Sequence, residues 1–298
     1  MKVVVAGGTG LIGQALVRAL VAEGADVVVL SRNPERHTET GVRFVGWDAR
    51  TVSDWAEELA GAKGIVNLAG ASTGRRWTKK HKSRILSSRV NATRALVDAA
   101  ARLPAANRPE VLVNASGIDF GGDGEAENTE DAAPGTTFHA QVCVAWEAEA
   151  ARAAEHGLRV SRIRTSFVVD GSARAFKLLV LPTRLFAGGR LGSGRQWFPW
   201  VHLDDAVAVY RRAIDDPALD GAVNLVAPEV PRQIDFARAL ARVLHRPCFF
   251  PAPRLLLRAA LGAQADLLLQ GQHATSQKLD PASFRFPTVT GALEEALR

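Results

Sequence analysis

The stretch KVVVAGGTGLIGQALVRALVAEGADVVVL, residues 2–30, decides the fold. Its opening KVVVA is a short β-branched run closed by glycines, which predicts a buried parallel strand at 2–6. GGTGLIG follows, with Gly7, Gly10 and Gly13 in a G-x-x-G-x-x-G array that runs straight into QALVRALVAEG. Leu16, Leu20 and the intervening alanines have helical spacing, and Gly24 supplies a C-terminal stop. A second β-branched strand is predicted at 26–30. Such a strand, glycine loop, helix and strand need the glycines for a tight turn, for room beside a pyrophosphate and for close helix–strand packing. The phosphates then rest on the positive end of the helix. The unit predicts a dinucleotide site whose phosphate loop comprises Gly7, Thr9, Gly10, Leu11, Ile12 and Gly13.

The end of the second strand chooses the nucleotide. A site for NAD places Asp or Glu there to accept hydrogen bonds from the ribose 2′-hydroxyl. This chain has Ser31 and Arg32 instead. A carboxylate would repel a 2′-phosphate, whereas a guanidinium pairs with it, and a hydrogen bond to a charged group contributes roughly 1.5–3 kcal/mol. NADP(H) is the expected cofactor; the alternative is that Arg32 only faces solvent.

Strands are further predicted at 42–45, 64–68, 111–115 and 159–164, and helices at 90–101, 138–156 and 204–214. This alternation implies an α/β fold, a doubly wound parallel sheet with helices on both faces. A chain of 298 residues, 47% hydrophobic and 23% charged, suits a globular enzyme. Its two cysteines, Cys143 and Cys248, form no disulfide framework, and neither they nor the seven histidines show metal-ligand spacing. No metal is expected, and a reducing cytoplasm is the expected location. No apolar run reaches the roughly 18 residues of a membrane span, and the N-terminus lacks a signal-peptide core, so no membrane partner is expected.

The net charge is +6 and the pI about 9.8, and the densest basic stretch is RRWTKKHKSR at 75–84, with six Lys/Arg. It follows a strand of the sheet and so leaves from the carboxyl edge, where ligands bind. It is either an anion-binding rim or a solvated face. Nucleic acid is not expected, because Trp77 is the only aromatic interleaved with the charges.

GGTGLIG, Asp48, NLAGAS at 67–72, VNATRALVDAA at 90–100, the serine of NASG (Ser116) and WVHLDDAV at 200–207 fall in an order that resembles the extended short-chain dehydrogenase/reductases. RWTKKHKSRILSSRV, CVAWEAEA, GGRLGSGRQWFPWVHLDD and the tail HRPCFFPAPRLLLRAALGAQADLLLQGQ resemble an atypical epimerase-like branch with a C-terminal domain of unknown function. The resemblance implies the Rossmann strand order over 1–228, with a substrate-side insertion near 171–203 and a small, mainly helical cap over 229–298. It also implies that Leu68, Ala69 and Gly70 line the cofactor and that Asp48 lies near its adenine. Arg76, Lys82 and Arg89 match positions the branch keeps basic, so Arg89 is expected at the cofactor and Arg76 and Lys82 at the substrate. Arg195, Gln196 and Trp200 fall in the region that meets substrate in the superfamily.

The superfamily uses a Tyr-x-x-x-Lys pair as its acid/base, with a serine that orients the substrate hydroxyl. This chain has no such pair, and its one tyrosine, Tyr210, sits in a helical segment after the DD motif and reads as a packing residue. Aligning Glu147 with the glutamate that usually follows the pair puts His139 in the tyrosine position and Cys143 in the lysine position, while Ser116 keeps its place. Where the branch usually carries two aromatics, this chain has Asp119–Phe120. His139, whose imidazole titrates near neutral pH, is thus a candidate proton donor, with Asp119 as a second candidate. Cys143 and Trp146 fall on the apolar side of their helix and read as core, and Glu130–Asp131 reads as a substrate-loop pair or a helix cap.

Two functions remain open. One is an NADP(H)-dependent oxidoreductase or epimerase-like enzyme, a monomer or homodimer, acting on a small carbonyl or nucleotide-sugar-like substrate, anionic if the basic stretch grips it. The other is a non-catalytic NADP(H)-binding sensor or scaffold.

Overall fold

A computed structural model describes all 298 residues. Eleven strands follow in chain order: β1 (Lys2–Ala6), β2 (Asp26–Ser31), β3 (Val42–Gly46), β4 (Gly64–Asn67), β5 (Val111–Gly117), β6 (Gly124–Asn128), β7 (Arg159–Thr165), β8 (Phe167–Val169), β9 (Trp200–His202), β10 (Gly221–Leu225) and β11 (Gln272–Ala274). Seven of them form one parallel sheet in the order β10-β7-β5-β4-β1-β2-β3. The chain winds outward from β1 through β2 to β3, then crosses back to β4 and winds the other way. Its switch point therefore lies between the carboxyl ends of β1 and β4, the crevice where doubly wound folds bind ligands.

The central strands are apolar on both sides, and two cores cover the two faces. On one face Leu16 and Leu20 of α1 (Leu11–Ala22) pack with the helix at Leu203–Asp215. On the other lies α2 (Lys79–Arg102), which buries Ala92, Leu96 and Ala99. α2 starts eleven residues before the predicted helix because Thr78 caps it, accepting from the His81 amide at 3.1 Å. Its first turns carry charges with no apolar periodicity, so the sequence pattern does not show them as helix. α3 (Phe138–Ala151) runs into a tight 3-10 turn that ends at Gly157, φ +85°. Strand β4 stops one residue earlier than predicted because the Asn67 side chain accepts from the Ala69 amide at 3.1 Å.

The remaining helices are α4 (Arg174–Arg184), α5 (Leu203–Asp215), α6 (Gln233–Val243), α7 (Arg254–Leu261), α8 (Asp266–Leu269) and α9 (Val289–Ala296). A third core joins Phe176 and Val180 of α4 with Trp200, Phe236, Leu240 and Leu293. Residues of the 171–203 insertion and of the C-terminal segment thus share one packed unit. Tyr210 on α5 is fully buried, and its hydroxyl lies 2.9 Å from the Thr165 hydroxyl; burial pushes its pKa up. It is a packing residue.

Gly7, Gly10 and Gly13 of the first loop do different work. Gly7 has φ +81°, and a Cβ there would stand 2.7 Å from the Leu68 carbonyl carbon. A Cβ on Gly13 would meet the Gly7 carbonyl oxygen at 2.3 Å, so Gly13 seats the helix against the loop. A Cβ on Gly10 would make only an ordinary 3.4 Å contact. Gly13→Ala should therefore lower unfolding stability by about 1–3 kcal/mol through overpacking, despite the better helix propensity of alanine. Gly10→Ala should leave the urea midpoint nearly unchanged. Equal effects would mean the loop is not packed as described.

Candidate active site

At the switch point lies a cleft of about 820 Å³, within the size range of cofactor pockets. Its floor is Gly7, Thr9 and Gly10, with Leu68, Ala69 and Gly70 on the β4 side. Leu11 and Ile12 turn their side chains into the cores, and Gly13 lies behind the loop, so none of the three lines the cleft by its side chain. The first-turn amides of Leu11, Ile12 and Gly13 have no acceptor within the protein, and no side chain caps α1. These amides are free to donate to a phosphate at the positive helix end.

Around the rim stand four guanidinium groups, Arg32, Arg50, Arg75 and Arg84, against one carboxylate, Asp48. Arg32 is exposed and has no partner, while the Ser31 hydroxyl accepts from the Asn33 amide at 3.2 Å. Asp48 accepts from the Arg50 and Thr51 amides and from the Thr51 hydroxyl, each at 2.8 Å, and these bonds hold its pKa below the ordinary value. A ligand that suits four cations around a bare helix terminus is a polyphosphate, and the free amides, the glycine floor and the guanidinium rim fit a dinucleotide with a third phosphate.

A second, small cavity of about 70 Å³ opens beside the start of α3. Trp77, Lys82, Asp119, Asp123 and His139 line it, together with Asp266 and Leu267 from the C-terminal segment. His139 Nδ1 lies 3.3 Å from Asp119 Oδ2, and its ring centroid is 4.5 Å from that of Trp77. His139 Nε2 is buried without any partner. Desolvation, then the Asp119 and Asp266 carboxylates, push the Asp123 carboxyl up to about 6, although the residue as a whole is solvent-exposed. Lys82 Nζ sits 4.8 Å from the Phe138 ring centroid. The basic stretch thus splits: Arg75, His81 and Arg84 face the large cleft, while Trp77 and Lys82 face the small cavity.

Ser116, next to last in β5, is buried, its hydroxyl donating to Glu147 Oε1 at 2.7 Å. Glu147 is buried on α3 and also accepts from Arg164 Nε at 2.8 Å and Nη2 at 3.0 Å. The Arg164 guanidinium stacks 3.5 Å from the Phe120 ring centroid and donates to the Glu130 carbonyl. Cys143 is buried, 3.1 Å from where a Gly117 Cβ would stand, and burial first, then Asp119, push its thiol up to about 12. It carries no charge at neutral pH and cannot stand in for an ammonium group. Arg89 donates to the Ala71 and Ile85 carbonyls at 3.1 Å, and its guanidinium lies 5.0 Å from the Trp146 ring centroid. It backs the Gly70 wall of the cleft rather than lining it.

The structure corrects several sequence expectations. Trp200 is fully buried in the third core and its indole N–H donates to the Glu229 carbonyl at 2.7 Å, so it cannot touch substrate. Gln196 spends its amide on the Leu191 and Leu268 carbonyls, and Arg195 and Arg76 are exposed and line neither cavity. Glu130 neither caps a helix nor meets a ligand: its buried carboxylate accepts from the Asn224 and Gln277 amides and the Ser276 hydroxyl. Arg75 and Arg84 were not singled out, because nothing in a run of six cations distinguishes the two that turn inward; the i, i+3 spacing of His81 and Arg84 along α2 was the available signal.

The sequence profile of the NAD dependent epimerase/dehydratase family matches residues 3–225, and a domain of unknown function, DUF1731, matches residues 252–296. Bacillus subtilis epimerase family protein YfhF is 35% identical over 288 residues, covering 96% of this chain and 94% of that protein. Bos taurus epimerase family protein SDR39U1 is 34% identical over 306 residues, covering 100% of each. A crystal structure of human epimerase family protein SDR39U1 (isoform 2) with NADPH matches with a TM-score of 0.86 at 30% identity, over 99% of each chain. On the glycine loop, the strand order and these full-length likenesses, the chain belongs to the NAD dependent epimerase/dehydratase family.

Proposed function

We propose that this protein is an NADP(H)-dependent oxidoreductase or epimerase-like enzyme in which His139, oriented by Asp119, serves as the proton donor. One observation carries the reading: a buried imidazole nitrogen with no partner, on the first turn of α3, whose other nitrogen is held by a carboxylate. Buried polar atoms are nearly always bonded, so an orphaned one on a residue that lines a cavity invites a ligand. Asp119 holds the Nδ1 side of the ring and orients it, leaving Nε2 as the nitrogen that would pass a proton to substrate. When bound, NADP(H) supplies hydride transfer. The chain supplies the rest: the first-turn amides and the four guanidiniums hold the phosphates, Arg32 selects the 2′-phosphate, and Ser116 offers a hydroxyl fixed in direction by Glu147.

The three carboxylates around the small cavity argue against an anionic substrate and favour a neutral hydroxyl or carbonyl compound. At about 70 Å³ the cavity is small, and the segment carrying Asp266 and Leu267 forms part of its wall. That tightness is also what favours the second reading, an NADP(H) binder without turnover. We assign the nucleotide-binding unit to 1–228 and the cap to 229–298, with 171–203 packed on the cap, and place the protein in a reducing compartment such as the cytoplasm.

Calorimetric titration should show NADP(H) bound about tenfold or more tightly than NAD(H), with the preference lost in Arg32→Asp. Equal affinities in the unaltered protein would remove the cofactor assignment. A screen of carbonyl and nucleotide-sugar compounds with NADPH tests turnover. On any substrate found, His139→Ala should cost roughly 10²–10⁴-fold in rate while leaving NADPH affinity unchanged. Full turnover in His139→Ala would pass the role to another group, and tight NADPH binding with no consumption across the screen would favour the sensor.

A further inference from the structure

α4 is apolar on two opposite faces. Phe176, Val180 and Thr183 are buried in the third core, while Leu178, Leu181 and Leu185, at i, i+3 and i+7, form an outward stripe 48–67% exposed. Just beyond the helix, Phe186 stands 55% exposed with φ +61°, a backbone conformation that side-chain-bearing residues rarely adopt.

The C-terminal segment runs beside the residues that follow this helix. The Phe250 amide donates to the Gly188 carbonyl, the Ala252 amide to the Arg190 carbonyl, and the Arg246 guanidinium sits 4.5 Å from the Phe186 ring centroid. Phe249 and Phe250 stack there, 68% and 50% exposed. α7, RLLLRAAL, follows immediately and buries none of its residues; Leu255 and Leu256 are 81% and 66% exposed. Of twelve large exposed apolar residues in the chain, eight lie on α4, on α7 or on the paired segments between them. Scattered exposure is ordinary, but concentration of this kind marks an interaction surface.

Charge identifies what the face meets. Residues 171–203 and 236–265 contain ten Lys/Arg and not one Asp or Glu. The rest of the chain holds the other 27 Lys/Arg against 31 Asp/Glu and is net −4. Only two of the ten cations, Arg238 and Arg258, have a carboxylate partner. A second copy pairing about a two-fold axis would set these cations against themselves. Protruding Leu and Phe side chains flanked by unpaired Arg and Lys are what an anionic bilayer surface accepts, the apolar groups entering the interface and the cations meeting headgroups.

We propose that this face, built from α4, Phe186, Phe249, Phe250 and α7, docks the protein peripherally on an anionic phospholipid membrane. The inference does not depend on the catalytic reading. It also revises the sequence-based expectation of no membrane partner: no helix is long and apolar enough to cross a bilayer, but this face suits lying on one.

The test is co-sedimentation of the full-length protein with phosphatidylcholine vesicles, with and without phosphatidylglycerol. Binding should be about tenfold or more stronger on the anionic vesicles and should weaken as salt rises. Leu255→Asp/Leu256→Asp, at positions that bury nothing, should abolish it while leaving thermal unfolding and NADPH affinity unchanged; Lys177→Glu/Arg184→Glu should weaken it. Three outcomes would overturn the proposal: no binding to anionic vesicles at low salt, binding unaffected by the leucine pair, or a dimer in sedimentation velocity that the same pair dissolves without any vesicle binding.

Discussion

The geometry of the site depends on one buried carboxylate, that of Glu147. It accepts from Ser116 on β5 and from two nitrogens of Arg164 on β7, and so fixes α3 in register against two neighbouring strands. Burying a charge this deeply is tolerable only when its oxygens are well bonded, and deleting one partner of such a pair costs about 3–5 kcal/mol. The constraint reaches further along α3. Two turns before Glu147 the same helix carries His139, so the register that pairs Glu147 with Arg164 also brings the imidazole to Asp119. Arg164 extends the lock by stacking on Phe120 and holding the Glu130 carbonyl. A buried polar network of Asn67, Thr93, Asn114 and Trp146 ties β4, α2, β5 and α3 at the same end of the sheet.

His139 and Cys143 set the electrostatics of this corner. The buried thiol stays protonated and uncharged. Cations reach this corner from α2, where Arg89 lies between the Gly70 backbone and the Trp146 ring and Lys82 lines the same cavity as His139. An imidazole moves a proton near neutral pH without a neighbouring cation to lower its pKa, which a phenol needs.

The fold was legible because its determinants are local and periodic. The spacing of Gly7, Gly10 and Gly13 encodes a backbone approach, β-branched runs encode buried strands, and Arg32 directly after a strand encodes a charge at one edge. The His139–Asp119 pairing was half legible: each residue stood out alone, but nothing in the sequence brings a loop aspartate to a helix twenty positions on. A charged residue that folds inward was misread, since the donors that bury Glu130 come from segments far along the chain. Trp200 and Gln196 failed for the opposite reason. Position in the chain suggested the substrate, but the insertion folds back on the C-terminal segment and consumes both. The apolar face of α4 and α7 was hidden because its outward leucines carry the same helical period as buried ones.

The most direct test of this account is a crystal structure with NADPH bound. It predicts the 2′-phosphate on Arg32, the pyrophosphate on the amides at the start of α1, and His139 Nε2 within hydrogen-bond reach of a group placed beside the nicotinamide C4. A nicotinamide whose C4 faces some other proton-bearing side chain, with His139 still sealed against Trp77 and no path between them, would contradict it.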